Sequence, residues 1–217
     1  MLKRNTNYFL ATFADIFNST NFISVKYTLN GPILRQVIRS LGFKLNETVP
    51  YDYIAFILQQ SFRSLEECAF LLSHILYDSK GLNLTEKKPS NTDNTKNKIY
   101  NNKHGLPGLS YHHRGVLHVC WPQNYMKLGE LMGIGDLLWR QPDHLLDVVF
   151  AVKAAVAWWD VNVTDNIHVG PTNFGSTADL VWTLKNDYSL MEEDREARFN
   201  VYRKVCSVLR VRRRAVL

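Results

Sequence analysis

The stretch FLLSHILYDSKGLNLTE, residues 70–86, is apolar until it meets one carboxylate, Asp78, and a second, Glu86, follows beyond the next turn. A carboxyl group at the C-terminal end of a buried helix faces the negative end of the helix dipole and apolar surface. Both disfavour its charged form, so Asp78 is expected to have a raised pKa. A raised pKa is what a general acid needs near neutral pH. Glu86, on the following loop, is expected to be more exposed and ionised, as suits a base. Two carboxylates in unlike environments can divide the acid and base work of cleaving a glycosidic bond. The plainer reading is two solvated acids beside a turn. His118 and Cys120, with His112 and His113 nearby, could bind zinc or pair as base and nucleophile, but side-chain packing accounts for them as well.

The elements that must carry these residues can be read from periodicity. ILRQVIRSLGF and YDYIAFILQQSF read as helices, the first stopped by Gly42. Ser64 is an N-cap with Glu67 three residues on, and Leu65, Cys68, Ala69, Leu72, Ile75 and Leu76 follow at helical spacing up to a stop at Gly81. KKPSNTDNTKNKIYNNK marks a polar surface loop at about 87–103. LSYHHRGVLHVCW alternates and predicts a strand, with Leu117, Val119 and Trp121 on one face and Val116, His118 and Cys120 on the other. NYMKLGELMGIGD predicts a short amphipathic helix. QPDHLLDVVFAVKAAVAWWD, with Pro142 in its first turn, predicts a central helix that is apolar nearly all round. A last helix over about 190–210 starts on acids and ends on bases, in accord with the helix dipole. The fold class is mainly α with a small β element.

A chain of 217 residues with 46% hydrophobic content can bury one substantial core, so residues 1–217 are expected to form a single domain. The net charge is +6, much of it in the basic tail at 210–217, which is expected to be solvated and is the one segment suited to nucleic acid. The apolar run ending in Trp159 is too short to span a bilayer and contains Asp147 and Lys153. Residues near the N-terminus lack a clear small-residue cleavage site, so no signal peptide is assigned. Cys68, Cys120 and Cys206 allow one bridge and a free thiol or three thiols. Sequons stand at Asn18, Asn46, Asn83 and Asn162. Trp121, Trp158, Trp159 and Trp182 are expected in the core ahead of a sugar-stacking cleft.

Several of these pieces together resemble glycoside hydrolase family 19, the chitinases and related phage endolysins. Within YHHRGVLHVCWPQNYMKLGELMGIGDLLWRQPDHLL, Tyr111, Arg114, Gly115, Asn124, Tyr125, Gly133, Asp136, Leu137, Pro142 and Asp143 fall into register with the family signature. RFNVYRKVCSVL is similar to its C-terminal helix through Arg198, Tyr202, Cys206 and Leu209, and FLLSHILYDSKGL falls on its His-Glu segment. The resemblance covers residues from about 55 to 210. It implies a lysozyme-like fold and inverting hydrolysis of a β-1,4-linked N-acetylglucosamine polymer, chitin first and peptidoglycan second, without a cofactor. Asp78 would be the acid and Glu86 the base, and Tyr111, Arg114, His118, Cys120, Asn124, Lys185 and Arg198 would hold substrate or brace the cleft. An extracellular or virion-associated location would follow.

The same resemblance exposes departures. Asp78 stands where the family has Glu and is one methylene shorter, and a misplacement of about 1 Å can lower a rate ~100-fold. Gly is replaced by His113, Gln by His118 and the water-positioning Ser by Cys120. The Asn-Gly-Gly segment is replaced by LKND, which puts Lys185 or Asn186 near the substrate-binding Asn. Substitution at so many site positions admits a second expectation, a catalytically inactive relative with a binding or structural role, for example in a virus particle.

Overall fold

A computed structural model describes residues 29–62, 64–88, 100–164, 173–185, 192–212, 215 and 217. Helices α1 (Gly31–Ser40), α2 (Tyr51–Ser61) and α3 (Leu65–Asp78) come first. A two-residue antiparallel ladder then joins β1 (Glu86–Lys87) to β2 (His113–Arg114), with Glu86 opposite Arg114 and Lys87 opposite His113. Helices α4 (Pro122–Leu131), α5 (Leu137–Arg140), α6 (Val148–Trp159), α7 (Phe174–Trp182) and α8 (Glu192–Leu209) complete the described α-helices. The architecture is mainly α with a small antiparallel element.

Each helix that positions the site has a local cause. The hydroxyl of Ser64 accepts from the backbone N–H of Glu67 (3.1 Å), which starts α3 where the sequence marks it. The helix ends because Lys80, Gly81 and Leu82 all take positive φ, and the Gly81 N–H bonds the Leu76 carbonyl at 3.0 Å. Between those ends Cys68 to Leu76 are buried without exception, so α3 is the axis of the core. It touches α6, as expected, but it packs far more extensively against α8. Phe70 stacks on Tyr202 of α8 with centroids 5.1 Å apart.

The described residues correct two of the expectations. The alternating run 111–121 is not one continuous strand, since only His113–Arg114 joins the ladder. Arg114 pairs back with Val119 across a turn in which Gly115 and His118 both have positive φ. Val116, Leu117, Val119 and Cys120 are all buried, because a tight turn folded into the core covers both of its faces. Pro142 does not open α6 either: Pro142–Leu146 is a separate 3-10 turn, and Asp147 caps α6 by accepting from Phe150 N at 2.7 Å. Of the basic tail, Arg210 and Arg212 are exposed, while Val211 and Ala215 are buried and Ala215 N bonds the Tyr202 hydroxyl at 2.9 Å.

Helix α7, capped by Asn173, was not anticipated. The three cysteines are buried and unbridged. Residues 89–99 of the polar loop, Asn186, Asn18 and the rest of residues 1–28 lie outside the described residues. Among the described residues no helix is long and apolar enough to cross a membrane.

Candidate functional site

Asp78, the last residue of α3, is a buried carboxylate gripped by two cations from the C-terminal third of the chain. Its Oδ1 accepts from Lys185 Nζ at 2.9 Å and from Arg198 Nη2 at 2.6 Å, and its Oδ2 accepts from Arg198 Nη1 at 3.2 Å. Arg198 is itself held by Asp194, one turn earlier on α8, whose Oδ2 accepts from its Nε at 2.8 Å. Tyr77 donates to the other Asp194 oxygen at 2.6 Å and places its ring 4.4 Å from the guanidinium. Lys185 lies 4.7 Å from the ring of Trp182.

These partners reverse the expected ionisation. Burial alone would push the Asp78 carboxyl up, but the charges of Lys185 and Arg198 and the Arg198 hydrogen bonds hold it well below the usual carboxylate range. What the local sequence does not show is a pair of cations 107 and 120 residues away.

Two histidines sit against this cluster. Thr177 donates its hydroxyl to Phe174 O, so it accepts from His74 Nε2 at 2.9 Å, and His74 Nδ1 is left to face Arg198 Nη1 at 3.5 Å. That arrangement requires a neutral ring, in keeping with burial and the Arg198 charge, which hold the His74 pKa well below its ordinary value. His118 has positive φ, is 7% exposed, and its Nε2 has no hydrogen-bond partner in the structure. Burial, opposed by the Asp78 charge, pushes its pKa down to about 4.

Glu86 belongs to a second group. Its carboxylate accepts from His112 Nε2 at 2.8 Å and lies 3.5 Å from Lys88 Nζ, with a quarter of the side chain exposed. Burial would raise its pKa, but the His112 hydrogen bond and the Lys88 charge lower it. His112 is buried, and its own pKa is lowered by that burial against the pull of Glu86, so its contact is a neutral N–H donated to a carboxylate. Arg114, opposite Glu86 in the ladder, spends its guanidinium on Ser110 O (2.8 Å), the Tyr125 hydroxyl (3.3 Å) and Asp143 (2.9 Å).

The other anticipated residues are placed as follows. Lys185 and Arg198 come together with Asp78, and the charge of Asp78 is felt at His118. Cys120 donates its thiol to Lys185 O at 2.9 Å, and Asn124 donates to Leu184 O at 2.8 Å and to Cys120 O at 3.0 Å. Both therefore hold the segment that delivers Lys185. Tyr111 is buried and donates to Trp139 O at 2.7 Å. Trp158 and Trp159 are core residues.

Among the described residues no group of three or more His, Cys, Asp and Glu could hold a metal ion. His74 and Asp194 are not among the residues singled out from the sequence, and His112 is singled out there only as a neighbour of a possible zinc site. The i, i+4 spacing of Asp194 to Arg198 was the available signal for Asp194.

No protein-family model matches this sequence, and no curated protein matches it. Solved structures do. Chitinase C from Streptomyces griseus HUT6037 superposes with a TM-score of 0.63 at 19% identity, over 84% of this chain and 93% of that one. A bacterial family 19 chitinase superposes with a TM-score of 0.64 at 18% identity, over 87% of this chain and 98% of that one. A family 19, class IV chitinase from Zea mays gives 0.50 at 20% identity, over 95% and 92%. This chain therefore has the fold of the family 19 chitinases.

Proposed function

We propose that this protein uses the chitinase fold to bind a β-1,4-linked N-acetylglucosamine polymer, chitin before peptidoglycan, without hydrolysing it through an Asp78 acid. The observation that carries this reading is the double clamp on Asp78. A general acid must hold a proton when substrate arrives and release it to the leaving oxygen. Asp78 is ionised throughout the neutral and mildly acidic range, and both of its oxygens are already donated to by buried cations. The substitutions at His113, His118 and Cys120 remove further groups that would place water and sugar. The binding half of the proposal is supported by the shared fold, since ground-state contacts to a sugar do not require the acid.

Hydrolysis is favoured by one feature, the ionised and partly exposed Glu86, which retains the properties of a base. Binding and turnover of chitin oligomers by the wild type, Asp78→Asn and Asp78→Glu separate the two readings. The expected result is binding without turnover in all three, with Asp78→Glu restoring nothing, because positioning losses do not recover one residue at a time. Turnover in the wild type that vanishes in Asp78→Asn while oligomer binding is kept would establish the enzyme instead. Absence of both binding and turnover would remove the carbohydrate reading altogether.

A further inference from the structure

Glu86 is engaged in a hydrogen-bonded chain that the glycosidase scheme does not use. Ser110 Oγ lies 3.0 Å from His112 Nδ1, and His112 Nε2 lies 2.8 Å from Glu86 Oε1. A carboxylate can only accept, so Nε2 carries the ring proton, Nδ1 holds a lone pair, and the Ser110 hydroxyl donates to it. The three groups thus stand as hydroxyl, neutral imidazole and carboxylate in one line. His112 and Ser110 are two apart in the run leading into β2, and the ladder pairing of Glu86 with Arg114 sets the carboxylate beside them.

We propose that Ser110, His112 and Glu86 form an acyl-transfer relay, with Ser110 as a nucleophile toward small, exposed carboxylic esters such as O-acetyl groups. The arrangement meets the geometric requirement for an activated serine: nucleophile and base in hydrogen-bond reach, and the base oriented by a third group. The serine uses Nδ1 and the carboxylate Nε2, which is workable because either imidazole nitrogen can take a proton while the other donates. Ser110 is half-buried, His112 is 7% exposed and Glu86 is partly exposed, so the nucleophile is reachable and the base is shielded. The buried guanidinium of Arg114 donates to Ser110 O at 2.8 Å, which fixes the backbone of the nucleophile.

In the step itself the Ser110 oxygen bonds to the ester carbonyl carbon as its proton passes to His112 Nδ1. The imidazolium formed is balanced by Glu86. The tetrahedral adduct collapses by breaking the bond to the alkoxide, which leaves as the alcohol with the proton from His112. Water then attacks the acyl-serine in the same sense, and the carboxylic acid and free Ser110 result. No oxidant or cofactor enters.

This goes beyond the carbohydrate reading and stands whether or not chitin binds. The test is to treat the full-length protein with a fluorophosphonate probe, locate the adduct by mass spectrometry, and follow hydrolysis of p-nitrophenyl acetate. Expected are a single adduct on Ser110, loss of label and of ester turnover in Ser110→Ala, and a fall of about 100-fold or more in His112→Gln. The groups facing His112 are Glu86 of β1, Arg114 of β2 and Asp143 of the 3-10 turn. With these in place the acylation rate should rise with pH to a plateau, with a midpoint below 6.5, the ordinary histidine value. Glu86→Gln removes the charge that opposes the lowering, so the midpoint should move further down as the rate falls, a shift that a merely structural role would not produce. Adduct on another residue, no adduct, or ester turnover unchanged in Ser110→Ala would overturn the proposal. Chitin-oligomer binding measured on the same Ser110→Ala sample should be unchanged, which keeps failure of one reading apart from failure of the other.

Discussion

Asp78 and Glu86 are eight positions apart and chemically alike, yet the fold treats them in opposite ways. Asp78 is buried and bound on both oxygens by cations from distant elements. Glu86 keeps a quarter of its surface and is held by one neutral histidine and a loose lysine contact. Both carboxyls are pushed toward the ionised form, but only at Asp78 does the surrounding structure depend on it. A buried charge that loses its partner is left uncompensated in a poor solvent, whereas a rim charge falls back on water. The first carboxylate is a structural keystone between α3 and α8. The second is still available for chemistry.

The largest effect that would break this contrast is expected at Arg198. Arg198→Met removes the bidentate partner of Asp78 and the partner of Asp194 at once. Breaking a buried ion pair from one side typically destabilises by about 3–5 kcal/mol. Urea unfolding should show a loss in that range. A loss below about 1 kcal/mol would mean that the Asp78 cluster is no tighter than the Glu86 one.

Lys185→Met should have a smaller effect, because Arg198 still covers both Asp78 oxygens. Its signature is in pH. Asp78 has a depressed folded pKa, so its contribution to stability is present above the unfolded carboxylate value, about 3.9, and is lost as pH falls through the folded value. Removing the Lys185 charge raises the folded value and narrows that window. Unfolding free energy followed from pH 5 to pH 2 should therefore decline less steeply in Lys185→Met than in the wild type.

His118 tests the edge of the cluster. Its folded pKa is about 4 against an ordinary 6.5. The unfolded chain therefore binds the proton first, and stability falls as pH drops from 6.5 toward 4, by at most ~1.4 kcal/mol per pH unit for one group. His118→Gln cannot titrate. The variant should lie within about 1 kcal/mol of the wild type at pH 8 and exceed it progressively below pH 6. Parallel curves for the two proteins would show that His118 is not buried beside Asp78 as described.

How much of this was legible in the sequence follows from the range of each interaction. Ser64, Gly81 and the apolar spacing between them act within one or two turns, and α3 was readable to within a residue or two. The turn at 115–118 was misread because alternation reports which residues want burial, not whether the chain runs on or doubles back. Only the positive φ of Gly115 and His118 decides that. The Asp78 environment failed for a related reason. The dipole and the desolvation are local, but the cations that outweigh them come from α8 and the turn after α7, and α7 was itself not foreseen. Resemblance placed Arg198 and Lys185 near the site, yet it did not say that both would close on one carboxylate.

Glu86→Gln gives the smallest effect and the sharpest counterpart to the Asp78 cluster. A Gln amide oxygen can still accept from His112 Nε2, so geometry is kept while the charge is lost. The residue is partly exposed, so no uncompensated charge is left behind, and the change in stability at pH 7 should stay within about 1 kcal/mol. His112 supplies a second reading. Its folded pKa is already below the ordinary 6.5 because burial outweighs the Glu86 contact, and removing the carboxylate leaves burial and Arg114 unopposed on that side. The His112 ring should then titrate lower still, as followed by NMR of its carbon-bound protons. Because a lowered histidine pKa means stability lost as pH falls below the unfolded value, the variant should also lose more stability than the wild type between pH 7 and pH 5. An unshifted His112 titration would mean that Glu86 does not face the ring in solution, and the relay from Ser110 would lose its third member.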